Sequence, residues 1–425
     1  MNLTGMHQKS SLPNGLRILT SPMPYTRSVC LGIFIGAGSR YESEEEAGAS
    51  HFLEHLCFKG THRRASSKEI SETIEGVGGI LNGGTDKELT AYWCKVARPH
   101  FSLALDVLAD MLRHSKFAPK DIERERRVII EEINTSWDSP QHRVDLLIDE
   151  LLFADHPLGR DVAGNKERVS ALTRENLLDY FARQYLPNNT VVSVAGDISQ
   201  EEVVSSLAEA FADWTEGALP SWSPAVDEQR APRVRLEPRS TEQAHLCLGI
   251  RGLSAKHPDR FALDLLNVIL GEGMSSRLFI SVRERRGLAY DIHSYVSHFL
   301  DSGSIIIYAG VAPHCLEEAV KAILEELAGL KDGIPEAEMV KAKELCKGRL
   351  LLRMEDTRSV ASWAGGQELL LGQVLSVDEV VALIDAIQPA DLQRVARQLL
   401  VGEKLCLAVV GPGGEEHRLE SLLQL

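Results

Sequence analysis

His51, Glu54 and His55 fall within a single run of five residues, His-Phe-Leu-Glu-His. Side chains four apart share one face of a helix, so both imidazoles can reach the same metal ion. Glu54 sits beside them, placed to take a proton from a water held at that metal. The order reverses the commoner H-E-x-x-H helix but supplies the same three groups. Phe52, Leu53 and Leu56 surround the polar residues, which directs this helix against a core rather than into water. A buried imidazole beside a buried carboxylate needs a partner, and a metal ion is a good one. Catalytic zinc takes three protein ligands and leaves a position open, so a third ligand must come from elsewhere in the chain.

The candidate source is the segment 122–133, Ile-Glu-Arg-Glu-Arg-Arg-Val-Ile-Ile-Glu-Glu-Ile. Pro119 and Asp121 mark a helix start, and Val128, Ile129 and Ile133 are expected to form much of its apolar stripe. Glu125 and Glu132 are seven apart, two turns along one face. One could bind the metal while the other tunes the site from behind. The competing reading is a solvated Glu/Arg helix, with Glu125 paired to Arg124 or Arg126.

The elements that must hold these residues are legible as a repeat. Cys30-Leu31-Gly32-Ile33 recurs as Cys247-Leu248-Gly249-Ile250, Tyr92 has a counterpart in Tyr308, and His100 has one in His314. Phe117-Ala118-Pro119 answers Gly333-Ile334-Pro335, and the run ending at Gly196 answers the one ending at Gly411. The offsets all fall near half the chain. The expected domains are therefore 1–216, carrying the metal site, and 236–425, joined by a proline-containing connector at 217–235. Carrying His51, His55 and Glu132 forward by the same offset lands near Asn267, Gly271 and Gly348. Only the first half should bind metal. Apolar runs at 29–35, 191–195, 246–250, 305–309 and 405–410 alternate with amphipathic segments, an α+β pattern.

His51, Glu54 and His55 followed by Glu132, with Glu125 two turns earlier, resemble the pitrilysin or insulinase family of zinc peptidases. So do Gly36-Ala37-Gly38-Ser39-Arg40, the continuation through Lys59-Gly60-Thr61, Asn82, Glu88 to Tyr92, His156-Pro157-Leu158-Gly159-Arg160, and Arg-Glu-Arg-Arg-Gly-Leu-Ala-Tyr at 283–290. The likeness spans nearly the whole chain and is closest to the short-chain branch that includes the mitochondrial processing peptidase and its bacterial relatives.

The resemblance implies two homologous domains, each a β-sheet flanked by helices, making half of a clamshell chamber. It implies one Zn2+ per chain on His51, His55 and Glu132, with Glu54 activating water for peptide-bond hydrolysis and Glu125 supporting the ligands. It assigns oxyanion donors to Arg283 and Tyr290, whose spacing is compatible with one helix face except for the intervening Gly287. It also makes Asn82-Gly83-Gly84 the edge on which an extended peptide pairs. Gly83-Gly84 replaces bulkier family residues, which could loosen the edge or admit a larger side chain. A dimer completes the chamber in that branch, either a homodimer or a heterodimer with an inactive homologue. Some relatives have instead become non-proteolytic scaffold subunits, though a scaffold has no need to keep all four metal-site residues.

Composition narrows the alternatives. A net charge of −15 argues against nucleic acid, which needs a basic footprint. Seven cysteines without framework spacing fit a reducing compartment. The first twenty residues lack the long apolar core of a secretory signal, and no run is long enough to cross a bilayer. A cytoplasmic protein without membrane contact is the expectation.

Overall fold

A computed structural model describes residues 7–425; the first six residues of the stretch read above for a secretory signal lie outside the described residues. The chain forms two compact units, 7–133 with 161–223 and 351–378, and 134–160 with 224–350 and 379–425. Among the described residues no helix is long and apolar enough to cross a membrane.

The first unit is built on a mixed sheet of β1 (Gln8–Ser11), β2 (Arg17–Pro22), β3 (Ser28–Ile35), β4 (Ile80–Thr85), β5 (Thr90–Ala97) and β6 (Thr190–Gly196), in the order β1-β2-β6-β3-β5-β4. The apolar runs in β3 and β6 are buried almost throughout, as central strands covered on both faces must be. The strand β4 is the sheet's edge and pairs only with β5, setting Asn82 opposite Trp93 and Gly83 opposite Tyr92. One face of the sheet is packed by the helix Ala49–Cys57, through Phe52, Leu53, Leu56 and Cys57, and by the helix Phe101–His114. The other face takes the helix Thr357–Leu371, from far along the chain. A Cβ on Gly365 would lie 2.3 Å from the Phe34 ring, so this helix sits directly on the sheet.

The second unit repeats the plan with β7 (Arg233–Pro238), β8 (Ala244–Arg251), β9 (Ala289–His298), β10 (Gly303–Val311) and β11 (Cys406–Gly411), in the order β7-β11-β8-β10-β9. The strand β7 begins within the 217–235 stretch. Here the helix Pro140–Leu152 covers β8 and β11, burying Val144, Ile148 and Leu151 against Cys247, Ala408 and Val410. Each sheet is thus completed by a helix whose sequence lies in the opposite half of the chain.

Two sequence expectations need correction. The buried stripe of the helix Pro119–Asp138 is Ile122, Glu125, Ile129 and Ile133, whereas Val128 is 40% exposed. A step of one residue turns a helix by about 100°, enough to take Val128 off the face that Ile129 occupies. The pairing of Tyr92 with Tyr308 as repeat counterparts also fails. Ile33 stands opposite Tyr92, while its counterpart Ile250 stands opposite Ile305. The residue in the register of Tyr92 is therefore Ile305, and Tyr308 points to the other face of its sheet.

Candidate metal centre

The helix Ala49–Cys57 carries His51, Glu54 and His55 and starts at Gly48, where φ is +94°. A Cβ on Gly48 would meet the Ala163 carbonyl at 2.7 Å, so both conformation and space favour glycine. No side chain at the cap position closes the helix start. The buried carboxylate of Glu42 does so instead, accepting the N–H of Gly48 at 2.9 Å and of Ser50 at 2.7 Å.

The helix Pro119–Asp138 brings up the third ligand candidate. Glu132 Oε2 lies 3.8 Å from His51 Nε2 and 3.7 Å from His55 Nε2. Among the described residues, His51, His55 and Glu132 are the one group of three such side chains whose ligand atoms lie within 4.8 Å of one another. These separations exceed hydrogen-bond reach, so the three atoms do not satisfy each other. Zinc bonds of about 2.0–2.1 Å in a tetrahedral site put donor atoms roughly 3.3 Å apart, close to what the three side chains already hold. The donor set therefore fits a divalent ion of the zinc type.

Glu125, one of the two acids left open by the sequence, turns inward. Its side chain is nearly buried, and Oε2 lies 3.3 Å from His55 Nδ1 and 2.9 Å from Lys59 Nζ. A carboxylate on Nδ1 fixes that nitrogen as the protonated one and leaves the Nε2 lone pair facing the centre. Glu125 pairs with neither Arg124 nor Arg126, which reach Asp121 and Glu123.

The electrostatics suit ligands and a base. Burial, then the neighbouring His55 ring, lower the His51 imidazole to about 4, which keeps it neutral and able to coordinate. Burial raises the Glu54 carboxyl, and Glu132 adds to that rise, while His55 and a hydrogen bond from Thr85 oppose it. A carboxyl raised in this way is a better proton acceptor than a solvated one. Thr85 Oγ1 donates to Glu54 Oε2 at 3.3 Å, so the final residue of the edge strand touches the candidate base.

The edge-strand glycines differ in what surrounds them. A Cβ on Gly83 would come within 3.1 Å of both Glu54 Oε1 and the Phe58 ring. On Gly84 it would meet nothing within 4 Å. Gly83 thus makes room for Glu54, and Gly84 leaves open space on the opposite face. Asn82 accepts the N–H of Gly83 at 2.8 Å.

Arg283 and Tyr290 belong to the second unit. Arg283 lies in a π-helical stretch, Phe279–Arg285, and Tyr290 is the second residue of the strand β9. Gly287, at φ +64°, ends the helical path between them, so the shared helix face considered from the sequence is not formed. The guanidinium nevertheless lies over the Tyr290 ring at 5.3 Å and the Phe279 ring at 4.7 Å, and Tyr290 is 77% exposed.

Sequence reasoning gave no role to Glu42, Lys59 or Thr85. Lys59 carried a signal, lying one further helical step of four beyond His55. Contacts of Glu42 and Thr85 depend on how separate elements pack and left no mark in residue spacing.

Comparison with known proteins agrees with this geometry. Residues 17–166 match the family model described as insulinase (peptidase family M16), and residues 171–346 match the one described as the peptidase M16 inactive domain. The cluster of His51, His55 and Glu132 lies wholly in the first match. An uncharacterized zinc protease of Bacillus subtilis is 39% identical over 412 residues, covering 96% of this chain and 99% of its own. A protease from Helicobacter pylori has the same fold, with a TM-score of 0.91 at 23% identity over 96% of this chain and 99% of that one. So does a chain of complex III from Candida albicans, with a TM-score of 0.84 at 20% identity over 99% of this chain and 100% of that one. With family models covering most of its length and a near full-length relative, this chain belongs to the insulinase family, peptidase family M16.

Proposed function

We propose that this protein is a zinc-dependent endopeptidase that hydrolyses peptides or presequence-like segments bound as extended strands. One observation carries the reading: the His51, His55 and Glu132 ligand atoms converge beside Glu54, and Glu54 is hydrogen-bonded to the edge strand β4. His51, His55 and Glu132 would hold one zinc ion per chain. When bound, zinc polarises a carbonyl and lowers the pKa of a coordinated water. Glu54 takes a proton from the attacking water and passes it to the departing amine as the C–N bond breaks. Glu125 keeps His55 in the coordinating tautomer. Asn82, Gly83 and Gly84 offer the unpaired backbone of β4 to the substrate, which favours affinity with little sequence preference. Arg283 and Tyr290 are proposed as donors to the developing oxyanion, on the resemblance of their motif.

The relatives' zinc-protease names support the activity. The working state is proposed to be a cytoplasmic homodimer, a heterodimer with an inactive homologue being the other arrangement. The complex III neighbour makes a scaffold role the reading to test against. Hydrolysis of a quenched fluorescent peptide library, with metal analysis before and after chelation, separates the two. Cleavage lost with chelator and restored by zinc, at about one metal per chain, is the expected result. Stoichiometric zinc without cleavage of any peptide would favour the scaffold.

A further inference from the structure

The short turn that precedes the metal helix touches both elements between which the proposed reaction takes place. Ser39–Tyr41 is a single 3-10 turn, followed by Glu42. Towards the metal helix, Glu42 accepts the N–H groups of Gly48 and Ser50. The Tyr180 hydroxyl adds a second tie, lying 2.7 Å from Ser50 Oγ and donating to Gly38 O at 3.3 Å. Towards the edge strand, the N–H of Arg40 donates to Lys87 O at 2.9 Å, in the turn that joins β4 to β5. The Arg40 guanidinium, with a fully buried side chain, pairs with Glu88 at 2.5 Å. The same guanidinium donates to Ser223 O at 3.1 Å and stacks on the Trp222 ring at 4.0 Å. Packing at this point leaves no slack: a Cβ on Gly38 would stand 2.3 Å from Asp86 O and 2.6 Å from Lys87 O.

The tie continues to the base. Thr90 Oγ1 donates to Ala37 O at 3.0 Å and lies 3.4 Å from Thr85 Oγ1, and Thr85 donates to Glu54. A buried arginine held by a carboxylate, a carbonyl and an indole face is far more than a surface charge requires, and such a pair fixes geometry rather than adding net stability. Catalytic constellations lose rate steeply when a group shifts by about 1 Å, so the spacing between the helix of Glu54 and the strand of Thr85 is worth holding this firmly.

We infer that Arg40 and Glu42 are positioning residues, which set the separation between the metal helix and the edge strand and thereby hold Glu54 against Thr85. Trp222 and Ser223, at the start of the connector between the sheets, complete the clamp on Arg40. The inference rests on the peptidase reading for its effect on rate, but not for its effect on the edge strand.

Both effects can be measured on the full-length zinc-loaded protein. Arg40→Met strands the buried Glu88, so Trp222→Ala, which spares the ion pair, serves as the second variant, and Arg40→Lys tests rescue. The expected result is unchanged zinc content with kcat per bound zinc lowered about 10- to 100-fold on a quenched library peptide, and partial recovery in Arg40→Lys. Independently of activity, amide hydrogen exchange over 80–88 should accelerate in Arg40→Met and Trp222→Ala, while exchange over 101–114 stays unchanged. Loss of zinc in step with activity, unchanged kcat per bound zinc, or undisturbed exchange over 80–88 would each overturn the inference. A wild-type protein that cleaves no peptide would sink the peptidase reading and leave the exchange measurement to judge the clamp.

Discussion

The candidate metal centre and the equivalent place in the second half are two outcomes of one scaffold. A shift of 216 residues takes His51 to Asn267, Glu54 to Leu270, His55 to Gly271, Glu125 to Lys341 and Glu132 to Gly348. Both motif helices follow the sheet's central strand, and both long helices follow an amphipathic partner. In the second half Asn267 Oδ1 accepts from Ser294 Oγ at 2.7 Å, Leu270 is buried, and Lys341 donates to Ser275 O at 2.7 Å. A Cβ on Gly271 would lie 2.3 Å from Ser294 Oγ, so no histidine fits there. The second half folds the same sheet and helices with Asn267, Leu270 and Gly271 packed shut and with no acid at 341 or 348. The fold therefore needs neither the imidazoles nor the acids, which supports the chemical role proposed for them in the first half.

The largest test of that contrast is Glu54→Gln, which removes the proposed base but keeps the side chain's shape and its contact with Thr85. Turnover should fall by about 10²- to 10⁴-fold with one zinc per chain retained, read by peptide cleavage alongside metal analysis. Full turnover in this variant would make Glu54 as dispensable as Leu270 and end the hydrolytic mechanism.

A smaller loss should follow from copying the second half's edge strand into the first. Sheet register puts Val296 where β4 has Gly83, because Val296 stands opposite Ile305 and Gly83 opposite Tyr92. At position 83 even the first carbon would crowd Glu54 Oε1 and the Phe58 ring, and the valine methyls reach further. Gly83→Val should leave zinc content unchanged and cut kcat/KM about 10- to 100-fold by moving the carboxylate. Thermal stability should change little, the strand preference of a β-branched residue being offset by its crowding of the Phe58 ring. Gly84→Val meets open space rather than Glu54, so it should leave kcat in place and register, if anywhere, in KM.

How much of this was legible in the sequence follows from how local each signal is. The spacing of His51, Glu54 and His55 is a property of one helix turn and could be read directly, whereas spacing narrowed the third ligand only to Glu125 or Glu132, and the family resemblance chose Glu132. The buried strands β3, β6, β8, β10 and β11 stood out as apolar runs. Short or half-exposed strands such as β1 and β7 carried no such run. The exchange of Pro140–Leu152 and Thr357–Leu371 between the halves was not legible, because an amphipathic stripe states that a helix is covered and not by which sheet. Tyr308 misled for a related reason: a tyrosine closing an apolar run looks the same from either face, and only the pairing partner reveals which way it points. The clamp through Arg40 joins a turn, a hairpin and the connector, so residue spacing could not announce it.

The smallest expected effect concerns the far end of the two edge strands. In the first half β4 ends at Thr85, which meets Glu54 through a hydroxyl that does not titrate. In the second half β9 ends at His298, whose Nδ1 and Nε2 lie 2.6 Å from Leu253 O and 3.1 Å from Asp264 Oδ1. Burial alone would lower this histidine, but the Asp264 carboxylate and the Leu253 carbonyl outweigh it and raise the pKa above the usual value. The protonated ring donates to both acceptors at once, and the neutral ring to one. The folded state therefore holds this proton more tightly than the unfolded chain, so the stabilisation is complete below pH 6.5 and is lost as pH rises through the raised pKa. Urea unfolding at pH 6 and at higher pH should show a loss of roughly 1 kcal/mol, modest because Asp264 is partly exposed. His298→Gln should be less stable at pH 6 and flatter above it. An unchanged pH slope in that variant would show that the second half's edge strand is tied no more electrostatically than the first.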